Sequence, residues 1–114
     1  MRRIEVVEYA DPLCPWARGS EPVFRRIRAA LDGRVRRRRV YCILFDHDDA
    51  PAPDADAETA WYSRYVEDVS GHTRAPRAFR LSRVAASSWP ASLVAKAAEA
   101  QGPEVADRVL RRLR

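Results

Sequence analysis

The chain has 114 residues and an apolar share of 46%, which bounds it to one globular domain. No stretch approaches the ~20 apolar residues that span a bilayer, and Met1-Arg2-Arg3 leads into a strand pattern with no separate signal segment, so a cytoplasmic protein is expected. The net charge of +5 comes from 21 basic residues, all arginine except Lys96; they are scattered and carry no binding motif, so a solvated surface is expected rather than a nucleic-acid site.

Residues 3–9 read as a strand buried on both faces, with Ile4, Val6, Val7 and Tyr9 giving its apolar character. Asp11-Pro12 breaks it. Residues 15–31 then read as a helix, with Val23, Phe24, Ile27 and Leu31 recurring at helical spacing and Arg25, Arg26 and Arg28 mostly toward water. Pro15 stands where the first helical residue would be, a position that tolerates a missing N–H. Cys14 therefore falls at a helix N-terminus, where unpaired N–H groups and the positive end of the helix dipole favour a thiolate over a thiol. Glu8 and Asp11 are the nearby carboxylates. Asp11 is expected to end the strand and shape the turn, without a catalytic role.

Gly33 supplies a helix stop, and the second strand lies within 34–45. The result is a strand–helix–strand unit with a right-handed crossover. Arg36 to Arg39 invite comparison with a phosphate-binding patch, but an exposed edge strand kept from unwanted pairing by charge is preferred. The run from Val40 to Phe45 is expected to carry the burial.

Residues 46–58 form an acidic Pro/Ala loop. Asp46, His47, Asp48 and Asp49 lack the ligand spacing and turn glycine of an oxygen-rich metal loop, so no metal is expected. Thr59 to Ser70 read as a helix ended by Gly71, with Trp61, Tyr62, Tyr65, Val66 and Val69 as its apolar and aromatic face. His72 is expected at the surface, with a fold-back toward Cys14 as the alternative. Ser87-Ser88-Trp89-Pro90 is a helix start, with Leu93, Val94, Ala97 and Ala98 as the expected buried face. A last helix runs from about Pro103, with Val105, Val109, Leu110 and Leu113 apolar. The organisation expected is 1–45 as a βαβ half, 46–58 as a loop and 59–114 as a helical region.

The segment VVEYADPLCPWARGSEPV, Val6 to Val23, resembles the active-site region of the DsbA-like branch of the thioredoxin superfamily. More narrowly it is similar to the FrnE-type dithiol oxidoreductases and their relatives, which include a protease-adaptor branch. The segment SSWPASLVAKAAEAQ, Ser87 to Gln101, resembles the opening of that family's inserted helical domain. The resemblance implies an α/β fold, a thioredoxin-like βαβ unit followed by a helical insertion, and a catalytic cysteine at Cys14. Pro12, Pro15, Trp16 and Ala17 would shape its site. The resemblance makes Trp16 a substrate-facing or lid-packing aromatic; core packing is the other reading. The family pattern carries a second cysteine where this chain has Ala17. The family's core also continues with a cis-proline loop, two antiparallel strands and a closing helix, none of which has a counterpart here, so a truncated form and self-association through an uncovered sheet edge are expected.

Disulfide exchange begins with thiolate attack on a disulfide sulfur, giving a mixed disulfide. Cys14 can perform that half, and Ala17 cannot resolve the product. Glutathione as co-substrate could, or Cys42, if its Cα came within roughly 7 Å of that of Cys14; as a residue between Tyr41 and Ile43, Cys42 also suits a small buried apolar role. Both cysteines are expected as free thiols. No resident cofactor is expected. Three readings follow: a monothiol oxidoreductase acting on protein or small-molecule disulfides, a degenerate thioredoxin-fold binding or adaptor module, and a glutathione-dependent isomerase. The last fits the Cys-Pro-Trp run least well.

Overall fold

The structure, a computed structural model, describes residues 4–44, 46, 55–73 and 87–114. Its elements run β1 (Glu5–Ala10), α1 (Pro15–Ala30), β2 (Arg36–Tyr41), α2 (Ala55–Thr73), α3 (Trp89–Ala98) and α4 (Pro103–Leu113), with one turn of 3-10 helix at Glu99–Gln101. β1 and β2 are parallel, in register from Glu5 opposite Arg36 to Ala10 opposite Tyr41. This is the expected α/β arrangement: a βαβ unit followed by helices. Two parallel strands need such a crossover helix, and α1 supplies it. Pro15 opens α1, and Gly33 takes φ +68 just beyond its end, a conformation that costs glycine little. Across the molecule α1 packs on α2 and α3 packs on α4.

β1 is not buried on both faces. Ile4 is 71% and Tyr9 69% exposed, and only Ala10 in the strand is fully covered. The described residues contain a sheet of two strands, so the outer edge of β1 carries no further strand among them. That open edge is where the expectation of self-association falls.

The faces of α1 also depart from expectation. Val23, Phe24 and Ile27 are exposed, whereas Glu21 and Arg28 are buried. The reason is an ionic core between the helices and the sheet. Glu21 binds both Arg28 and Arg114, and Glu8 receives Arg28 at 3.5 Å and Arg39 at 3.3 Å. Asp107 on α4 completes the set, 2.8 Å from Arg39 and 3.8 Å from Arg28. Three carboxylates face three guanidiniums. Charges removed from water persist only when paired and hydrogen-bonded. Burial alone would lower the Arg39 guanidinium, but the bond to Asp107 and the charge of Glu8 leave it raised; burial lowers Arg114 against the pull of Glu21. Phe24 and Ile27 instead border a half-open cavity of about 470 Å³, shared with Val6, Leu31 and Ala106.

The arginine run forms the first four residues of β2. Arg36 and Arg38 are exposed and reach Glu5 across the ladder at 3.8 and 3.5 Å, in keeping with a charged edge strand, but the Arg39 side chain is only 8% exposed. At the end of β2 and just past it, Val40 to Ile43 are half-buried, Leu44 is exposed, and Phe45 lies outside the described residues.

α2 begins at Ala55, four residues before the expected Thr59, and continues through Gly71 to Thr73. A glycine inside a helix costs only about 1 kcal/mol against alanine, so packing overrides it. Among the described side chains of this helix Tyr62 and Val69 are buried, and Trp61 is 56% exposed. Gly19 of α1 sits under its last turn: a Cβ there would lie 2.5 Å from Thr73 Oγ1, so only glycine permits this approach of the two helices.

α3 buries Ser92, Ala95 and Ala98, whereas Leu93 and Val94 are exposed. The expected face is rotated toward the small residues that let α4 approach closely. On α4, Leu110 is 1% exposed and Ala106 is buried with it. Among the described residues no helix is long and apolar enough to cross a membrane.

Candidate functional site

The turn between β1 and α1 is held by hydrogen bonds from several segments of the chain. Asp11 is 2% exposed, and the Pro12 side chain beside it is fully buried. Asp11 Oδ1 accepts the Leu13 N–H at 2.7 Å. Its Oδ2 accepts the Leu44 N–H and the Ser88 hydroxyl, both at 2.7 Å. One carboxylate therefore ties together the β1–α1 turn, the chain leaving β2 and the start of α3. Charge-assisted bonds to a buried carboxylate are among the stronger ones a fold makes.

Cys14 sits at the end of that turn as the N-cap residue of α1, with φ −75 and ψ 119, and Pro15 follows as predicted. Its own N–H donates to the Asp11 carbonyl at 3.1 Å, and its carbonyl accepts the Arg18 N–H at 3.1 Å. No acidic side chain occupies the first turn of α1, so nothing within that turn offsets the positive end of the helix. The thiol is partly exposed and unpaired with another cysteine. Ala17, one turn along, is half-buried and Pro15 is buried.

Tyr62 of α2 reaches the same turn. Its phenol donates to the Leu13 carbonyl at 2.7 Å. Burial, followed by the nearby charges of Cys14 and Asp11, pushes this phenol up to about 12. As pH rises from the ordinary tyrosine value of ~10 toward that level, the unfolded chain loses a proton that the native chain keeps. The unfolded state then binds fewer protons, so stability is complete below about pH 10 and falls as pH rises, by roughly 2–3 kcal/mol in all. Urea midpoints measured from neutral to alkaline pH are expected to show this fall. Tyr62→Phe should flatten most of it, leaving the smaller contribution of Tyr41, which burial also raises. A slope unchanged by Tyr62→Phe would contradict the assignment.

Trp16 lies beside Cys14 on the outer side, 44% exposed, so it is not a core residue. Its ring meets that of His72 edge-on, with centroids 6.1 Å apart. His72 is thus a surface residue that does fold back toward the Cys14 end of α1, through Trp16. Cys42 follows β2, half-buried, with its N–H donating to the Ala10 carbonyl at 2.8 Å. Parallel strands bring both cysteines to the same end of the sheet. Of the acidic run considered for a metal, Asp46 is described and the rest lies outside the described residues.

The sequence located Cys14, Pro15 and the turn residue Asp11. It did not single out Tyr62, which is one of three aromatics within a single turn and a half of α2, nor Ser88 as a partner of Asp11 rather than a cap. The Ser88 side chain makes no capping bond; the Trp89 N–H donates instead to Ser87 Oγ at 3.1 Å. No local signal separates these alternatives, because both are settled by residues far away in sequence.

No family model matches the chain, and no curated protein matches it. Among solved structures, the crystal structure of a putative protein disulfide isomerase from Nitrosomonas europaea superimposes with a TM-score of 0.78 at 18% identity. The match covers 98% of this chain and 53% of that one, so the chain spans about half the length of that protein. At this identity the likeness establishes a shared fold over the matched half of that protein.

Proposed function

We propose that this protein is a DsbA-family thiol–disulfide oxidoreductase-like protein of the FrnE type, limited to monothiol chemistry at Cys14. The observation that carries this reading is the placing of a partly exposed cysteine at the N-cap of α1, directly after the first strand of a thioredoxin-like βαβ unit. In the proposed reaction the Cys14 thiolate attacks one sulfur of a substrate disulfide. A bond forms between Cys14 Sγ and that sulfur, the substrate S–S bond breaks, and the other sulfur leaves as a thiolate. Glutathione thiolate attacking the substrate sulfur of the mixed disulfide leaves a glutathione–substrate disulfide and releases Cys14 as a thiolate. Cys42 attacking Cys14 Sγ instead closes a Cys14–Cys42 disulfide and releases the substrate as a thiolate. Ala17 can take no part in that step. Partners in this reading are a disulfide-bearing protein or small molecule and, at the open β1 edge, a second copy of the chain, which sedimentation at rising concentration would detect.

Incubation with glutathione disulfide, followed by mass spectrometry, tests the proposal. One glutathione adduct on Cys14 is expected in the Cys42→Ala variant, formed faster than in the urea-unfolded chain and reversed by added glutathione. Cys14→Ser should abolish it. An adduct confined to Cys42, or one formed only after unfolding, would overturn the reading. The presence of Ala17 favours a second reading, a binding or adaptor module, in which partner binding persists in Cys14→Ser. An isomerase would be marked by turnover surviving that substitution.

A further inference from the structure

We infer that Tyr62 is a positioning residue for Cys14, fixing the peptide group that carries the reactive residue; this rests on the reading of Cys14 as the working thiol. The peptide between Leu13 and Cys14 has two polar ends. Its carbonyl accepts the Tyr62 phenol at 2.7 Å, and its N–H donates to the Asp11 carbonyl at 3.1 Å. The plane is held from opposite sides by two different elements, α2 and the β1–α1 turn. The preceding peptide is held as well, because the Leu13 N–H donates to Asp11 Oδ1. The following carbonyl, of Cys14 itself, is taken by the Arg18 N–H. With its flanking peptides fixed, the Cα–Cβ direction of Cys14 is fixed, and the thiol is aimed relative to the N-terminal amides of α1.

Of these restraints, the bonds from Asp11 and Arg18 are local to the turn and helix. Tyr62 is 49 residues from Leu13, and its bond joins the helical region to the thiol turn. The phenol is suited to the task. It is 9% exposed, so water does not compete strongly, and it stays protonated across the range in which thiols ordinarily ionise. The anchor therefore holds whether Cys14 carries a proton or not. Tyr62 touches the backbone ahead of the cysteine, so its effect is exerted through Cys14 and not on a substrate.

Tyr62→Phe in the Cys42→Ala background tests the inference, because it keeps the ring in place and deletes only the donor. Two readouts are needed: amide hydrogen exchange at Cys14, and the ratio of Cys14 alkylation rates at neutral and alkaline pH. Loss of one buried hydrogen bond is expected to speed exchange of the Cys14 N–H by about tenfold and to lower the rate ratio by roughly three- to tenfold. Circular dichroism should be unchanged. Unaltered exchange would overturn the inference whatever the reactivity of the thiol. Faster exchange with an unmoved rate ratio would overturn it too, by showing a restraint without consequence for Cys14. A parent protein whose native and unfolded thiols react alike would instead overturn the functional reading beneath it.

Discussion

Asp11→Ala is expected to remove about 3 kcal/mol or more of stability and to abolish any distinction between native and unfolded Cys14. The carboxylate is buried and accepts three hydrogen bonds, from Leu13, Leu44 and Ser88. Hydrogen bonds to charged groups contribute about 1.5–3 kcal/mol each, and alanine would leave two backbone N–H groups and a hydroxyl without their acceptor. Small domains have only ~5–15 kcal/mol to lose. The damage is also local to the candidate site, since the same residue shapes the turn ending at Cys14. Asp11→Asn keeps one carbonyl oxygen and should lose about half as much. Urea denaturation of the three proteins measures this. A change within about 0.5 kcal/mol for Asp11→Ala would show that the turn is held without its carboxylate.

The second large effect is expected at Glu21, far from the thiol in role though on the same helix. Its carboxylate binds Arg28 and Arg114, whose side chains are 9% and 3% exposed. Removing one partner of a buried ionic set costs about 3–5 kcal/mol because it strands charge away from water. Glu21→Ala strands two guanidiniums at once, although Arg28 keeps Glu8 and Asp107. Arg114, already lowered by burial, loses the carboxylate that most opposes that effect. Glu21→Gln retains a hydrogen-bond acceptor and should fall between alanine and the parent. Thermal melts at low and high salt would separate this from a surface pair, because a buried network is screened little. A melting point unchanged by Glu21→Ala would mean that these charges are solvated.

These two residues also mark the limit of what the sequence discloses. Helix ends were legible at several prolines and positive-φ glycines: Pro15 and Gly33 bracket α1, and Pro103 opens α4, whereas Gly71 does not stop α2. The βαβ order followed from the alternation of patterns. Burial was not legible. Val23, Phe24 and Ile27 have the spacing of a core face, but the described residues offer no layer that covers them. Glu21 and Arg28 have the composition of a wet face, yet they meet partners as remote as Arg114 and Glu8. Hydrophobic periodicity reports what a helix could bury; pairing between distant charges decides what it does bury. The extension of α2 past Gly71 has the same origin, since its last turn is held against Gly19 of another helix.

The site divides along the same line. Cys14 at the N-cap is a local property, written in the order of Asp11, Pro12, Cys14 and Pro15. Its restraint by Tyr62 and the clamp of Asp11 on Leu44 and Ser88 are long-range, and no spacing rule announces them. The fold brings three remote segments, through Leu44, Tyr62 and Ser88, to the one turn that ends at Cys14.

The most direct test of the account is the alkylation rate of Cys14 at neutral pH, in the Cys42→Ala variant, native against urea-unfolded. A thiol activated by its place at the end of α1 should react about tenfold or more faster in the native protein, and Asp11→Ala should erase the difference. Equal rates, or a slower native rate, would contradict the claim that this fold builds a reactive cysteine.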